Sequence, residues 1–140
     1  MKKIMLIGET SSGKTTLTQV LNDKEIGYKK TQALEYANNI LDTPGEYIEN
    51  RRYYNAIIMS SVDYDIIGFV QDSTSNNIVF PPNFASMFNK KVIGIITKID
   101  CCNSDVKKAK EYLERAGVGN IFYIDSISNR GIENIRKLLQ

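Results

Sequence analysis

Residues 8–15 carry the octapeptide GETSSGKT, and no other feature constrains the fold of the chain as strongly. The octapeptide matches G-x-x-x-x-G-K-[ST] at every fixed position, which is the pattern of a loop that wraps phosphate groups. Glycine lets such a loop curl until successive N–H groups converge on one anion, and the following helix adds its partly positive N-terminus. The flanks agree, because residues 4–7 form an apolar run and apolar side chains recur at helical spacing over residues 16–21. The sequence therefore predicts a strand–loop–helix unit that binds a nucleoside triphosphate.

Two side chains of this loop have specific expected roles. Lys14 can reach the β- and γ-phosphates and is therefore a candidate catalytic residue, while Thr15 can offer its hydroxyl to Mg²⁺. A chance glycine-rich turn is the alternative, and it explains neither the match at every fixed position nor the flanks. The residues predicted to contact phosphate are Gly8, Ser11, Ser12, Gly13, Lys14, Thr15, Thr16 and, further along the chain, Gly45.

Composition narrows the class of protein and its partners. The 140 residues, 42% hydrophobic and 24% charged, are typical of a single soluble globular domain that spans residues 1–140. A net charge of +2 is too small to indicate nucleic acid or an anionic membrane as a partner, and no apolar stretch is long enough to cross a bilayer. Histidine is absent, and the adjacent Cys101 and Cys102 are interpreted as free thiols in a reducing cytoplasm.

A second motif, D-T-P-G at residues 42–45, ends a strand predicted at residues 39–42. Asp42 at the end of a strand can hold the hydration shell of Mg²⁺, and Gly45 can offer its N–H to a γ-phosphate. Alone, the same four residues would be an ordinary turn. Thr31 lies at the exit of a polar loop, where nucleotide switches keep a threonine that senses Mg²⁺. The predicted metal residues are therefore Thr15, Thr31 and Asp42.

A third motif, T-K-I-D at residues 97–100, follows an apolar run that predicts a buried strand. It fits [NT]-K-x-D, in which the aspartate carboxylate accepts both N1–H and N2–H₂ of guanine. Adenine lacks these donors, so Asp100 predicts guanine, while the stem of Lys98 can pack over the nucleotide. Thr97 stands where asparagine is commoner and is expected to weaken the bracing between this loop and the phosphate loop. A solvated turn is the alternative.

The loop D-S-I-S-N-R-G-I at residues 125–132 is a degenerate form of the run that small GTPases place after their last strand. Asp125 replaces the usual serine and Ser126 replaces the usual alanine. The backbone N–H of Ser126 can still meet O6 of guanine. The predicted base-binding residues are therefore Thr97, Lys98, Asp100 and Ser126.

Strand-like and helix-like segments alternate along the chain. The other predicted strands are residues 33–36, 66–70, 92–96 and 121–124, and the other predicted helices are residues 51–62, 83–88, 106–116 and 132–139. Ser104 is the predicted N-cap of the third of these helices, and Gly117 its C-terminal stop. The alternation predicts a three-layer α/β fold of the P-loop NTPase (Ras-like) type. The predicted sheet has six strands, mostly parallel with one antiparallel, and helices cover both of its faces.

On these motifs the chain resembles the small Ras-like GTPases in their shortest form. It resembles more closely the ethanolamine/propanediol-utilisation P-loop family (EutP/PduV type). That resemblance is carried in order by G-x-x-x-x-G-K-T, K-K-T-Q-A-L-E-Y, D-T-P-G-E-Y, T-K-x-D and S-x-S-N-x-G-I. It covers nearly the whole chain, and residues 30–33 together with 42–47 are its specific part. The resemblance implies a bacterial cytoplasmic protein linked to microcompartment-based breakdown of ethanolamine or propanediol, with a protein partner in that machinery.

Glu46 lies where Ras-like enzymes place the glutamine that orients the attacking water, and it is therefore the second candidate catalytic residue. Its carboxylate can accept a hydrogen bond from water but cannot donate one to the γ-phosphate; the alternative is that it only faces solvent. The leading hypothesis is a GTP- and GDP-binding, Mg²⁺-dependent protein with slow hydrolysis. Two alternatives stay open: an ATP-dependent phosphotransferase acting on a small acyl acid, and a structural accessory that uses nucleotide little.

Overall fold

The computed structural model describes residues 2–28 and 39–140, and of residues 22–28 only the backbone. The strands in these ranges are β1 (Ile4–Ile7), β2 (Ile40–Asp42), β3 (Ile66–Asp72), β4 (Lys91–Thr97) and β5 (Ile121–Tyr123). The α-helices are α1 (Lys14–Tyr28), α2 (Glu46–Glu49), α3 (Tyr54–Ser60), α4 (Val106–Arg115) and α5 (Ile132–Leu139). Short 3₁₀ turns lie at Arg51–Tyr53, Ser61–Asp63 and Phe84–Met87.

The strands form one sheet in the order β2-β1-β3-β4-β5, and all four pairings are parallel. β1 and β3 are buried along their whole length, which requires the mostly apolar sequences that both strands have. Leu6 of β1 lies opposite Asp42 of β2 on one side and opposite Gly68 of β3 on the other. The strand order therefore reverses at β1, and in such sheets a ligand crevice forms at the carboxyl ends of the strands.

Helices cover both faces of the sheet. Because side chains alternate between faces along a strand, each short apolar strand contributes to both cores. On one face α2, α3 and α4 pack in a cluster whose buried members include Met5, Ile7, Ile48, Ile57, Ile67, Phe69 and Leu113. On the other face α1 and α5 pack in a cluster that includes Ile4, Leu6, Leu17, Ile66, Val70, Ile132 and Ile135. The expected arrangement of helices on both faces of a parallel sheet is confirmed.

The strand count differs from the expectation of six strands with one antiparallel. Within residues 2–28 and 39–140 the sheet has five strands, and each pairing between them is parallel. The strand predicted at residues 33–36, which would form a hairpin with its neighbour, lies outside the described residues. The neighbouring strand is present as β2, and its register with β1 is set by Ile4 opposite Ile40.

The helix predicted at residues 106–116 is present as α4, but its predicted N-cap is wrong. The Asp105 carboxylate accepts a hydrogen bond from the backbone N–H of Lys108 at 3.1 Å, whereas the Ser104 hydroxyl donates to the carbonyl of Ile99 at 3.2 Å. Asp105 is the cap because its side chain lies three residues before the N–H that it accepts from, which is the reach that capping requires. Gly117 follows the helix with φ +96°, a left-handed conformation that favours glycine.

The other predicted helices differ in regularity. Residues 51–62 are helical, but α3 is flanked by two 3₁₀ turns rather than extended as one helix. Residues 83–88 contain only the 3₁₀ turn Phe84–Met87, while the closing helix is present as α5. In the part of the chain that the structure describes, no helix is both long enough and apolar enough to cross a membrane.

Candidate nucleotide-binding site

Three motifs that lie far apart in the chain meet at one edge of the sheet. The phosphate loop follows β1, Asp42 is the last residue of β2, and Thr97 is the last residue of β4. Among the predicted contact residues, Ser12 and Lys14 are buried at this edge, whereas Ser11, Thr15, Thr16 and Asp100 are exposed. Thr31 lies outside the described residues, so its predicted role as a metal residue stays a prediction.

The phosphate loop is shaped by its backbone. Ser11 and Gly13 both have positive φ angles, +67° and +104°, which turn the chain back toward the start of α1. Gly8 lies so close to β3 that an added Cβ would come within 2.7 Å of the Val70 carbonyl oxygen. The N–H of Leu17 donates to the Gly13 carbonyl at 2.9 Å, which starts the helix directly after the loop. These features form a cradle whose backbone N–H groups can converge on an anion.

Lys14 brings the positive charge of the cradle into a buried position. Only 5% of the residue is exposed, and its ammonium donates a hydrogen bond to the Glu9 carbonyl at 3.0 Å. Burial lowers the pKa of Lys14 below its usual value, although the carboxylates of Asp42, Glu49 and Glu9 act in the opposite direction. An anion that pairs with this ammonium would therefore relieve an unfavourable burial.

The residues beside Lys14 fit a magnesium ion. The Thr15 hydroxyl donates to Oδ2 of Asp42 at 2.7 Å, which joins the start of α1 to the end of β2. The other carboxylate oxygen, Oδ1 of Asp42, is buried with no hydrogen-bond partner in the described part of the chain. Mg²⁺ prefers such oxygen ligands and is usually held by one or two protein groups together with phosphates and water. Accordingly, residues 2–28 and 39–140 contain no cluster of three or more His, Cys, Asp or Glu suited to a metal.

The segment after β2 packs directly on the phosphate loop. A Cβ added to Gly45 would lie 2.3 Å from the backbone nitrogen of Thr10, so only glycine fits at this approach. The same nitrogen donates to Oε1 of Glu49 at 2.8 Å, which holds α2 against the loop. Glu46, the predicted water-orienting residue, is exposed in the first turn of α2. Both predicted roles of Glu46, orienting the attacking water and facing solvent, stay predictions.

A cavity of about 570 Å³ opens beside the loop and α2. Its lining residues are Glu9, Thr10, Ile48, Glu49, Tyr54, Asn77, Ile78 and Val79. Oε2 of Glu9 accepts a hydrogen bond from the side-chain amide of Asn77 at 3.2 Å. Among the described residues of this lining there are two carboxylates and no Lys or Arg, so the described part of the cavity is a poor environment for an anionic ligand.

Thr97 braces the base-end loop against the phosphate loop. Its side chain is buried, and its hydroxyl donates to the Ser12 carbonyl at 2.5 Å. The same hydroxyl lies 3.4 Å from the carbonyl oxygen of Gln71. A threonine at this position therefore links the two loops directly, and the expected weakening relative to asparagine stays a prediction.

Lys98 makes a second link between the two ends of the site. Its backbone has φ +60°, and its ammonium donates to the Ser11 carbonyl at 2.9 Å and to Oδ2 of Asp72 at 2.8 Å. Burial tends to raise the pKa of Asp72, but hydrogen bonds from Lys98 and Thr74 outweigh it and leave that pKa below its usual value. The Lys98 stem thus runs from the base-end loop to the phosphate loop, where it could lie along a nucleotide.

The carboxylate of Asp100 is engaged by the loop after β5. Arg130 forms an ion pair with Oδ1, and the Ser128 hydroxyl donates to Oδ2 at 3.0 Å. The loop itself is closed by reciprocal backbone hydrogen bonds of 3.0 Å between Asp125 and Arg130. Asp125 is buried, and its Oδ1 accepts from the backbone N–H of Ile127 at 3.0 Å. The substitution of the usual serine by Asp125 therefore organises this loop internally.

Four residues of the site were not predicted from the sequence: Glu49, Asp72, Ser128 and Arg130. Asp72 had a usable signal, since it is an acid at the carboxyl end of a buried strand at the same edge as Asp42. The other three lie in a short helix and a loop, and no motif spacing indicates which groups those segments face.

The sheet is parallel, a glycine-rich loop joins β1 to α1, and Asp42 lies beside that loop. The T-K-I-D motif begins at the last residue of β4. These features define a P-loop protein with the fold of the GTPases. The sequence match is more specific than the fold. The chain belongs to the PduV–EutP family, described as ethanolamine utilisation – propanediol utilisation, whose model matches residues 1–140.

Similar proteins agree with both statements. The chain is 37% identical over 136 residues to the propanediol utilization protein PduV of Citrobacter freundii, covering 96% of this chain and 91% of that protein. It is 32% identical over 119 residues to the probable acetate kinase EutP of Escherichia coli (strain K12), covering 84% of this chain and 75% of that protein.

Two solved structures share the fold. The FeoB G-domain of Methanococcus jannaschii superposes with a TM-score of 0.64 at 21% identity, over 98% of this chain and 94% of that chain. A G235P variant of SsGBP gives the same TM-score of 0.64 at 19% identity, but this chain spans only 55% of its length.

Proposed function

We propose that this protein binds guanine nucleotides and hydrolyses GTP slowly, as an accessory in ethanolamine or propanediol utilisation. The observation that supports the proposal is the meeting of three groups at one sheet edge. These are the backbone cradle with Lys14, the Thr15–Asp42 pair and the Asp100 carboxylate. Together they match the phosphates, the metal ion and the base of one bound nucleotide.

At the phosphate end, the backbone N–H groups of the cradle and the ammonium of Lys14 bind and orient the triphosphate. The ammonium of Lys14 donates to the Glu9 carbonyl at 3.0 Å, and in the proposal it exchanges this acceptor for a phosphate oxygen. A bound Mg²⁺ would neutralise charge on the phosphate oxygens. Thr15 and Asp42 would hold that ion, because their hydroxyl and carboxylate are already 2.7 Å apart.

We expect slow hydrolysis because of the residues predicted to lie near the γ-phosphate. Glu46 can accept a hydrogen bond from water, but its negative charge opposes that of the phosphate. An arginine at the transition state is worth about 10³–10⁵ in rate. Arg52 lies over the ring of Tyr53, and Arg51 lines a groove with Pro82 and Phe84. We therefore expect turnover well below about 0.1 per second without a partner. Rapid hydrolysis by the isolated protein, lost in Arg51→Ala or Arg52→Ala, would contradict this.

The protein partner and the location are part of the same proposal. A slow nucleotide switch needs another protein to accelerate hydrolysis or to read the bound state. Membership of a utilisation family suggests that this partner belongs to the catabolic machinery, in the cytoplasm and associated with a microcompartment. Copurification with microcompartment fractions that depends on the nucleotide supplied would support this placement.

A second candidate is an ATP-dependent phosphotransferase that acts on a small acyl acid. It is favoured by the name of the Escherichia coli relative, a probable acetate kinase, and by the engagement of both Asp100 oxygens within the protein. The cavity beside the phosphate loop argues against it, because Glu9 and Glu49 would repel a carboxylate substrate. Acetate-dependent formation of ADP from ATP by the purified protein would establish this candidate.

Binding assays with GTP, GDP and ATP test the leading proposal. A carboxylate that accepts two guanine donors should make GTP bind roughly 10²–10⁴ times more tightly than ATP, somewhat below the range of the most selective sites. In Asp100→Asn, the amide oxygen still accepts one guanine donor, but the NH₂ group opposes the other. The 2-oxo group of xanthine can accept from that NH₂, so the variant should lose GTP affinity and gain affinity for xanthosine triphosphate. Similar wild-type affinities for ATP and GTP, without a xanthosine gain, would contradict the proposal.

A further inference from the structure

Both oxygens of the Asp100 carboxylate have a donor within the protein. Arg130 pairs with Oδ1 and the Ser128 hydroxyl donates to Oδ2 at 3.0 Å. Guanine needs the same two oxygens, one for N1–H and one for N2–H₂. In this arrangement a guanine base competes with the internal donors for these two oxygens, whereas adenine, which has no donors for this carboxylate, does not compete.

The backbone holds Arg130 in position to make this contact. Reciprocal hydrogen bonds with Asp125 fix its main chain, and both of its neighbours have left-handed φ angles, +62° at Asn129 and +76° at Gly131. A Cβ on Gly131 would come within 2.1 Å of the Tyr123 carbonyl oxygen, so the turn is tied to the end of β5. The Arg130 side chain therefore starts from a fixed point next to Asp100.

The side chains themselves can move. The Arg130 side chain is 64% exposed and that of Asp100 is 32% exposed, so the ion pair lies largely in water. Exposed ion pairs are individually weak and are screened by salt. The contact therefore acts as a modest competitor for the guanine-reading group and does not block it.

Resting on the proposed guanine-nucleotide function, we propose that Arg130 is a base-selectivity residue. Its ion pair with Asp100, assisted by Ser128, competes with guanine and lowers the preference of the site for guanine over adenine nucleotides. Both residues lie outside the phosphate cradle and the Thr15–Asp42 pair, so the effect should appear in the ratio of affinities rather than in phosphate binding.

The experiment compares GDP and ATP affinities of the whole chain, by calorimetry, for the wild type and Arg130→Ala. Removing the guanidinium should raise GDP affinity roughly two- to fivefold and leave ATP affinity nearly unchanged, because an exposed pair contributes little. Combining it with Ser128→Ala should raise the gain to about tenfold, since a hydrogen bond is removed as well. In Arg130→Lys, the ratio of GDP to ATP affinity should stay close to the wild-type ratio, because lysine keeps the positive charge.

Two controls separate competition from general effects. Arg115→Ala removes an exposed arginine at the end of α4 and should leave the GDP-to-ATP ratio unchanged. Raising the salt concentration from about 50 to 500 mM should shrink the difference between Arg130→Ala and the wild type, since salt screens the ion pair. A purely structural role of Arg130 would not produce this convergence.

Asp100→Ala distinguishes failure of this inference from failure of the proposed function. If Asp100→Ala lowers GDP affinity while Arg130→Ala leaves the GDP-to-ATP ratio unchanged or lowers it, the selectivity role is overturned and the guanine-reading role stands. If Asp100→Ala leaves the ratio unchanged, both are overturned. The inference is supported if the GDP-to-ATP affinity ratio is higher in Arg130→Ala than in the wild type and if added salt brings the two ratios together.

Discussion

At the proposed phosphate end of the site, the cradle consists of the backbone of residues 8–13 and one charged side chain, that of Lys14, whereas the proposed base end consists of side chains. The cradle is held by β1, by left-handed turns at Ser11 and Gly13, and by the close approach of Gly8 to β3. The base end depends on the side chains of Asp100 and Arg130, which are 32% and 64% exposed. A backbone cradle therefore keeps its geometry without a ligand, while a side-chain site can rearrange.

Both ends nevertheless engage an internal partner. At the phosphate end the Thr10 N–H donates to Glu49 at 2.8 Å, and at the base end Asp100 accepts from Ser128 and pairs with Arg130. At the phosphate end, the carboxylate of Glu49 thus engages a backbone donor of the loop. At the base end, two donors of the protein engage the carboxylate of Asp100. The difference is that the phosphate end also holds the buried ammonium of Lys14, whose pKa is lowered by burial, so an anion that pairs with it would relieve an unfavourable burial.

The largest effect should come from Lys14→Ala, which removes the charge of the phosphate end. We expect triphosphate affinity to fall about tenfold to a hundredfold, since a charge-assisted contact contributes roughly 1.5–3 kcal/mol. GTP and ATP should lose equally, because this end does not contact the base. Calorimetry with both nucleotides measures the loss, and Lys107→Ala, an exposed lysine on α4, is the control.

Unchanged triphosphate affinity in a folded Lys14→Ala variant would favour the third hypothesis, a structural accessory that uses nucleotide little. Folding should persist because burial lowers the pKa of Lys14, so its charge opposes folding at neutral pH and is not needed for it. Circular dichroism of the variant checks this point.

Gly45→Ala tests how closely the phosphate loop and α2 depend on each other. The new Cβ would lie 2.3 Å from the Thr10 nitrogen, so α2 must move away and the Glu49 contact must lengthen. We expect the free energy of unfolding to fall by about 1–3 kcal/mol, as overpacking usually costs. Gly119→Ala is the matched control, since no atom lies within 4 Å of its added Cβ. Equal urea midpoints for the two variants would show that the loop tolerates displacement of α2.

Thr97→Val tests the brace that joins the two ends. Valine keeps the shape of the side chain but leaves the Ser12 carbonyl without the hydroxyl that donates to it at 2.5 Å. We expect a loss of about 1–2 kcal/mol in the free energy of unfolding, because a buried acceptor becomes unsatisfied. Thr97→Ser keeps the hydroxyl and should retain most of the stability. If both variants unfold alike, the brace contributes through packing alone.

The smallest effect should come from Asp72→Asn, which weakens the tie to Lys98. The pKa of Asp72 is lowered in the folded chain, so its ionised form stabilises the fold above the unfolded value of about 3.9. That stabilisation is lost as the pH falls below about 4. We expect the variant to be less stable by about 0.5–1 kcal/mol at neutral pH, with the difference shrinking in acid. Urea unfolding at pH 7 and pH 3 measures it, with the exposed Asp63→Asn as control.

The features that could be predicted from the residues alone are those that depend on local backbone chemistry. Residue type and spacing predict three such features, and all are present: the loop between β1 and α1, the buried strands β1, β3 and β4, and the left-handed residue Gly117 after α4. Their physical basis is short-range, because glycine conformation, strand alternation and helical spacing are set within a few residues.

Which groups contact each other across the site depends on long-range packing. The pairing of Arg130 with Asp100, of Glu49 with Thr10 and of Thr97 with Ser12 joins residues 30 to 85 positions apart. No motif records these contacts, because each depends on how a loop or short helix packs against a different strand end. The N-cap of α4 is a different case, because both candidates are local: Asp105 lies three residues before the N–H that it accepts from, while the Ser104 hydroxyl donates back to Ile99.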